Sequence, residues 1–504
     1  MNTKNRALLI STIAYIYIPV MIFLIGFVKP YFSFPLILVL SFFLLRMIED
    51  YQKEMEENKT VLIKWWVLLL AVLVLCAFCV FIGWGGWFPQ AGDWYKHNAV
   101  LRDLSMKNWP VYYMNLEPSM LTYYIGQYLV PALVGKLTGS FRIAEILFFV
   151  WGVIGLVLVF IHLQRILKAD TVKKQLLSLL ILLFFSGAVV LTQVVLHNWY
   201  PNMTFAPVDR HWVIVGEILL QFRSNFVMLR WVFPQCMIPW LLMMLFMEHY
   251  KKCEYYALLF LPALLFATFS FVSFFAYALM GIVYLLIKQK DKKDVLKRIF
   301  SLSNLLPAVG LGGILFFYFL GYVQVQKPDY LGFGLQKYGF SYWGVYVVFC
   351  FFAFGIYAVC VWKDNKKIPL YYFTVILLLV IPLFKMGLCN DFVMSVSIPP
   401  LFVLMIFVVK FLNKKGESEQ NGIKKGILIV CLFIGAWYSF CELKDNIAQK
   451  EPGIMSAAEY ESLGYFTNRG NQELSDDLKY NYYTYDLEGK IFYEYIARKK
   501  IGEN

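Results

Sequence analysis

A polytopic, all-α transmembrane bundle of about thirteen spans is the fold class this sequence predicts, on three observations. Of 504 residues, 60% are apolar and only 16% charged, against about a quarter charged in soluble domains. The apolar residues fall into long runs of the length a bilayer requires. The excess of 46 Lys and Arg over 33 Asp and Glu, a formal +13, gathers in alternate loops between those runs, as it does on the cytoplasmic side of membrane proteins. A charge surplus arranged in this way faces anionic inner-leaflet lipid, so no nucleic-acid partner is expected.

The elements follow in order. The run 7–28 follows Lys4 and Arg6; it is too long for a signal peptide and no small-residue cleavage site follows, so it is expected to stay as the first span. Runs 31–48 and 65–88 enclose Arg46, Lys53, Lys59 and Lys64, which places the amino end in the cytoplasm and 89–119 outside. If 120–138 were a full crossing, Arg165, Lys168, Lys173 and Lys174 after the run 141–163 would face outward. Its text, Leu121-Thr-Tyr-Tyr-Ile-Gly-Gln-Tyr-Leu-Val-Pro131, is rich in Tyr with a Gln and a Pro. It is therefore expected to lie at headgroup depth, or to dip back, as an interfacial helix. The remaining runs are 176–197, 232–249, 255–288, 299–323, 341–362, 368–384, 398–412 and 426–443. The 34-residue run 255–288 is too long for one span and is expected to form a hairpin turning near Ser270 to Ser273. Thirteen spans then leave 26 basic residues inside, 12 in the short outer segments and 8 in the carboxyl-terminal tail, which ends outside.

Three regions result. Residues 1–64 hold two additional amino-terminal spans and a cytoplasmic loop. Residues 65–443 form the core, with outer loops 89–140, 197–231, 324–340 and 385–397, and residues 444–504 are a polar, Tyr-rich extracytoplasmic tail expected to pack on those loops. The nine cysteines show no framework; Cys76 and Cys79 have CxxC spacing, but inside an apolar run they read as small packing residues.

Chemistry is expected at the outer membrane edge, where lipid gives no reason to hold charge. Gly92-Asp-Trp-Tyr-Lys-His-Asn-Ala-Val-Leu-Arg-Asp103 follows the third span. If 93–104 is helical, Asp93, Lys96 and His97 share a face, with Asp103 on a neighbouring stripe. The segment His197 to Trp231 adds Asp209, Arg210, His211, Arg223 and Arg230; Arg210 and His211 suit a phosphate, and equally a role as headgroup anchors. A third segment offers Lys327, Asp329, Tyr330 and Lys337, and in a fourth Lys385 and Asp391 flank a break in an apolar stretch, where an ion pair between them is the plainer reading. Asp93, Asp103, Asp391 and the outer histidines hold a divalent cation only if the fold gathers them, so spacing assigns no metal or other cofactor. No Walker loop, dinucleotide glycine pattern, HExxH, GxSxG or kinase signature occurs in a suitable context.

This order of features resembles the GT-C superfamily of polytopic glycosyltransferases that use lipid-linked sugars, especially bacterial members associated with surface polysaccharide. Gly92-Asp93-Trp94, the 120–138 helix and the span ending at Arg165 carry the resemblance over roughly residues 65–443. Asp93-Trp-Tyr-Lys-His97, Trp231-Val-Phe-Pro-Gln235 and Asn390-Asp-Phe-Val-Met394 carry it locally. The chain departs from the resemblance at Cys236, where His is usual, and at Ser395, where Arg is usual. The resemblance implies a bacterial plasma-membrane enzyme that moves a sugar from a polyprenyl-phosphate donor to a glycan or lipid acceptor outside the membrane. Asp93 would be its general base, and Arg210, His211 or Arg230 would offset charge on the leaving phosphate. Lys96, His97, Asp103, Lys385 and Asp391 complete the expected substrate contacts. Transport or flipping of a lipid-linked saccharide, for which broken helices and inverted repeats are the signature, and a polysaccharide polymerase or ligase are the alternatives.

Overall fold

The structure, a computed structural model, describes residues 3–56, 63–114, 118–199, 212–215, 218–325, 331–333, 341–386, 390–414, 419–449, 462–463 and 482–502. It is nearly all α. Helices α1 (Thr3–Phe27) and α2 (Pro30–Glu56) form an antiparallel pair, followed by α3 (Trp65–Phe81), the amphipathic α4 (Trp94–Met106), α5 (Gly126–Thr138) and the long α6 (Phe141–Leu167). The bundle continues through α7 (Val172–Phe184), α8 (Val189–Trp199), α9 (Asn225–Trp231), α10 (Met237–His249), α11 (Tyr256–Phe260), α12 (Ala263–Phe266) and α13 (Ser270–Lys288). It closes with α14 (Lys292–Ile299), α15 (Leu302–Pro307), α16 (Gly313–Val325), α17 (Ser341–Cys350), α18 (Ile356–Asn365), α19 (Pro369–Val380), α20 (Asp391–Leu412) and α21 (Glu419–Ala448).

Among the described residues eight helices are long and apolar enough to cross a bilayer, or ten if each of two bent pairs is one span. Their flanks expose Leu38 at 72%, Val309 at 76% and Ile287 at 74%, a surface that belongs in hydrocarbon rather than water. The most enclosed of them is α20, whose apolar window is 94% buried by its neighbours. Polar contacts sort by end of the bundle. Asn5 with Arg165, Glu54 with His249, Glu254 with Arg298 and Asp364 with Lys414 join at one end. Val28 with Ala497, Arg142 with the Gly85 carbonyl and Asn446 with the Pro89 carbonyl join at the other. The loops predicted to share a side thus share an end.

Broken helices need partners for the backbone groups they free, because lipid supplies none. Between α7 and α8 the axis bends by 42°. There the Ala188 N–H donates to the Phe352 carbonyl (3.0 Å), and the Phe185 carbonyl accepts from the Asn225 N–H (2.9 Å). Phe352 lies in a π-bulge, Phe351–Gly355, between α17 and α18, a distortion that itself frees carbonyls. The second break, 116° between α9 and the Phe233–His249 stretch that includes α10, folds α9 back into the bundle.

The 255–288 run is a hairpin as expected, but it turns at Ala267–Phe269, just before the predicted serines. Those serines have a different task. Pro399 and Pro400 lie inside α20 and lack the N–H groups that would bond the carbonyls four residues back, Ser395 and Val396. The Ser270 hydroxyl donates to the Ser395 carbonyl and the Ser273 hydroxyl to the Val396 carbonyl, each at 2.6 Å. One turn of α13 thereby repairs both gaps.

Of the two courses expected for 120–138, the described helix α5 follows the one that dips back into the bundle. At 13 residues, α5 is about 20 Å long, shorter than the hydrocarbon core. The Gln127 amide near its start donates to the Tyr15 hydroxyl at 3.1 Å, and Tyr15 lies about 18 Å along α1 from Phe27. Gln127, Tyr128 and Leu129 are fully buried, so this polar text is matched by protein rather than by the membrane surface.

Short strands decorate the Phe27 end of the bundle. Strand β1 (Tyr112–Tyr113) pairs with β2 (Ser119–Leu121), β3 (Trp212–Val215) with β4 (Ile218–Gln221), and β5 (Leu331–Phe333) with β6 (Phe384–Met386). From the tail, β7 (Tyr483–Thr484) adds to β2, with Met120 opposite Thr484 and Leu121 opposite Tyr483. Further on, Arg498 donates its N–H to the Phe27 carbonyl at 2.8 Å. The described parts of the tail therefore pack on the segments at the Phe27 end of the bundle.

The serine repair is testable. Ser270→Ala with Ser273→Ala should lower unfolding stability in detergent by about 1–3 kcal/mol, because two buried carbonyls lose their donors. The same pair of changes should cost measurably less in a Pro399→Ala/Pro400→Ala background, where the backbone supplies those donors.

Candidate functional site

The site begins at a helix end. Where α9 stops before Pro234, its last carbonyls have no partner in their own helix. Three ring N–H groups supply them. The Trp84 indole donates to the Leu229 carbonyl (2.9 Å), the Trp94 indole to Arg230 (2.6 Å) and His97 Nε2 to Trp231 (2.9 Å). Phe233 packs among the donors, stacked on Trp94 with centroids 5.1 Å apart and 4.3 Å from Trp84. The Asp93–His97 and Trp231–Gln235 motifs are thus brought together.

Capping fixes His97. Its Nε2 must carry the proton, which leaves Nδ1 to accept from the Tyr128 hydroxyl, 2.5 Å away. Burial pushes the imidazole pKa down to about 4, against an opposing pull from Asp93 and from the Trp231 carbonyl. His97 is 1% exposed, so it positions the site from within.

Asp93, at the amino end of α4, is the exposed member. Its side chain is 39% open, with Lys96 Nζ 3.3 Å from its carboxylate and itself only 13% open. Gly92 beside it lies against Trp231, whose ring would sit 3.7 Å from an added Cβ. The charge of Asp93 also reaches Tyr128, which in turn neighbours Tyr124. From Tyr124 a polar chain runs inward: Gln235 Nε2 donates to the Tyr124 hydroxyl and Ser395 Oγ to Gln235 Oε1, each at 2.7 Å. Tyr123 bonds the Tyr124 hydroxyl and is stacked on Tyr482 of the tail, 4.2 Å between centroids. A cavity of about 20 Å³ lies among Tyr124, Gln235, Thr268 and Phe269, room for about one water.

The other expected residues separate. Asp103 is fully buried; its Oδ2 accepts from the Tyr113 hydroxyl (2.8 Å), the Ser462 hydroxyl (3.0 Å) and the Leu463 N–H (2.9 Å), so it anchors the tail to α4. Lys107 Nζ lies 3.6 Å from its other oxygen. Arg230, 8% exposed, pairs with Glu442 of α21 at 2.7 Å and donates to Asn446 Oδ1 at 3.0 Å. A charge so matched is not presented to solvent. Lys385 stands on β6 opposite Gly332, and Asp391 opens α20. Between them Asn390 takes a left-handed turn, φ 53°, with its carbonyl accepting from Gln221 (3.0 Å) and its amide donating to Leu219 (3.2 Å). Asn tolerates that conformation better than most residues. Arg210 and His211 lie outside the described residues, as do Asp209, Lys327, Asp329, Tyr330 and Lys337.

No family model, curated protein or solved structure matches the chain. The site must therefore be read from its own chemistry: a half-open carboxylate, an adjacent ammonium, and a buried hydroxyl–amide–hydroxyl chain that ends at Ser395. Cys236 and Ser395, the two departures noted in the sequence, meet at Gln235: one follows it in the chain and the other bonds its amide. Tyr124, Tyr128 and Trp84 escape sequence reading because each acts across more than thirty residues on a partner no local pattern reveals. Among the described residues no three His, Cys, Asp or Glu side chains gather to hold a metal.

The histidine makes a pH prediction. Its folded pKa is depressed, so the unfolded chain binds the proton more tightly, and stability is full above about 6.5 and falls as pH drops toward 4. Unfolding measured from pH 7 to pH 4 should show this acid loss in the wild type and a shallower one in His97→Gln.

Proposed function

We propose that the protein is a bacterial plasma-membrane glycosyltransferase that moves a sugar from a polyprenyl-phosphate donor to a glycan or lipid acceptor outside the membrane. Thirteen crossings, with the amino end cytoplasmic and the carboxyl end outside, complete the reading. The short apolar helices Trp65–Phe81, Cys253–Phe266 and Pro369–Leu383 would supplement the eight long helices and two bent pairs. The observation that carries it is the half-open Asp93 carboxylate, held at the Phe27 end of the bundle by a helix whose first turn is locked by Trp94 and His97.

In this role Asp93 accepts the acceptor hydroxyl's proton, or orients that hydroxyl, as it attacks the anomeric carbon. The bond to the lipid phosphate breaks, and the phosphate leaves with the electron pair. Lys96 lies beside Asp93 as a cation for that developing charge, and Arg210 and His211 belong to the same outer side of the sequence. Arg230 serves better as the buried brace of the re-entrant turn, given its Glu442 partner.

A second reading is favoured by one observation: the two bent helix pairs, at 42° and 116°, are the kind of break that transporters of lipid-linked saccharides use. Reconstituted vesicles separate the two. With labelled polyprenyl-phosphate sugar, transfer releases lipid phosphate, whereas flipping moves intact donor without bond cleavage. Under the proposed reading Asp93→Asn should fold normally and lose about 100-fold or more of the release rate, the usual worth of a general base. Wild-type release by that variant would remove Asp93 from catalysis.

A further inference from the structure

A second cavity, of about 270 Å³, opens where the carboxyl-terminal segment crosses α16. Phe317, Tyr318 and Gly321 of α16 form one wall, and Thr484, Glu488 and Lys490 form the other. We propose that it seats the headgroup of a zwitterionic phospholipid with a hydrogen-bearing amine, of the phosphatidylethanolamine class.

The place points to lipid. The cavity lies at the end of the bundle where Val28 meets Ala497 and Tyr31 reaches the Tyr495 carbonyl. There Tyr31 at 64%, Phe34 at 60% and Tyr495 at 66% are exposed, the belt expected where headgroups meet hydrocarbon. On α16 itself Phe316 is 59% exposed beside the wall residue Phe317, so the apolar side of the cavity continues onto a surface that can carry acyl chains.

The chemistry selects the headgroup. Glu488 and Lys490 flank Gly489, which takes φ +77° with no atom within 4 Å of an added Cβ. The turn is closed by the Lys490 N–H on the Leu487 carbonyl. One short loop therefore brings a carboxylate and an ammonium to the same cavity, with the Thr484 hydroxyl deeper in. A phosphate suits the ammonium and a primary amine suits the carboxylate, both through charge-assisted hydrogen bonds. A purely anionic headgroup leaves the carboxylate opposed, and a choline has no N–H to give it. A neutral sugar answers neither charge. Seated there, the lipid would clamp the tail to β2 and so keep Tyr482 on Tyr123 beside the site, whatever reaction that site performs.

The test uses the full chain in nanodiscs of equal phosphatidylethanolamine, phosphatidylcholine and phosphatidylglycerol, with retained lipid read by native mass spectrometry. Phosphatidylethanolamine should be retained about ten-fold over the other two, the worth of one hydrogen bond to a charged group. Glu488→Gln and Lys490→Gln, folded by thermal unfolding, should each remove that preference, while Lys414→Gln at the opposite end should keep it. Equal retention of the three lipids overturns the proposal. So does an unchanged preference in both cavity variants, which would mean that the two charges merely serve each other, or loss of the preference in Lys414→Gln.

Discussion

Three ring N–H groups on three carbonyls hold the Asp93 end of the bundle in its shape. A helix that enters a bundle, stops and turns back leaves carbonyls that neither lipid nor a neighbouring strand will satisfy, and each unsatisfied group in such surroundings costs several kcal/mol. Trp84, Trp94 and His97 meet that need from two different segments. Aromatic donors suit the task because the same rings also fill the space around Phe233. The position of Asp93 follows from this arrangement, since the residue immediately after it is one of the donors.

Much of the bundle was legible in the sequence because lipid imposes strong rules. Long apolar runs, the alternation of Lys and Arg and the excessive length of 255–288 each report a physical requirement that does not depend on the rest of the fold. The reading stayed open at α5, where Tyr, Gln and Pro suited either the membrane surface or a dip back into the bundle, and in the fold Gln127 meets Tyr15 in the interior. Composition indicates that such side chains avoid lipid tails; it does not indicate whether they do so by rising to the surface or by burying one another.

The site was legible only in part, for a related reason. The pair of half-open Asp93 and largely covered Lys96 spans four residues and could be seen as a helical face. Asp103 and Arg230 look the same in sequence, yet each is matched by residues far along the chain, Ser462 and Leu463 for one and Glu442 for the other. A charge matched in the interior and a half-open charge paired within its own helix carry one letter alike. Only the partner's position tells them apart, and no local spacing encodes it.

The Arg230–Glu442 pair also bears on biogenesis. Glu442 is made 212 residues after Arg230, about 10–40 s later at ordinary ribosome speeds. Throughout that interval the guanidinium lacks the counter-charge it has in the folded chain, so the bent turn between α9 and α10 completes its packing only when α21 arrives. The Asp93 site is consequently assembled late in synthesis, and a nascent chain cut short before α21 would carry the Asp93–His97 motif without the Glu442 brace on Arg230.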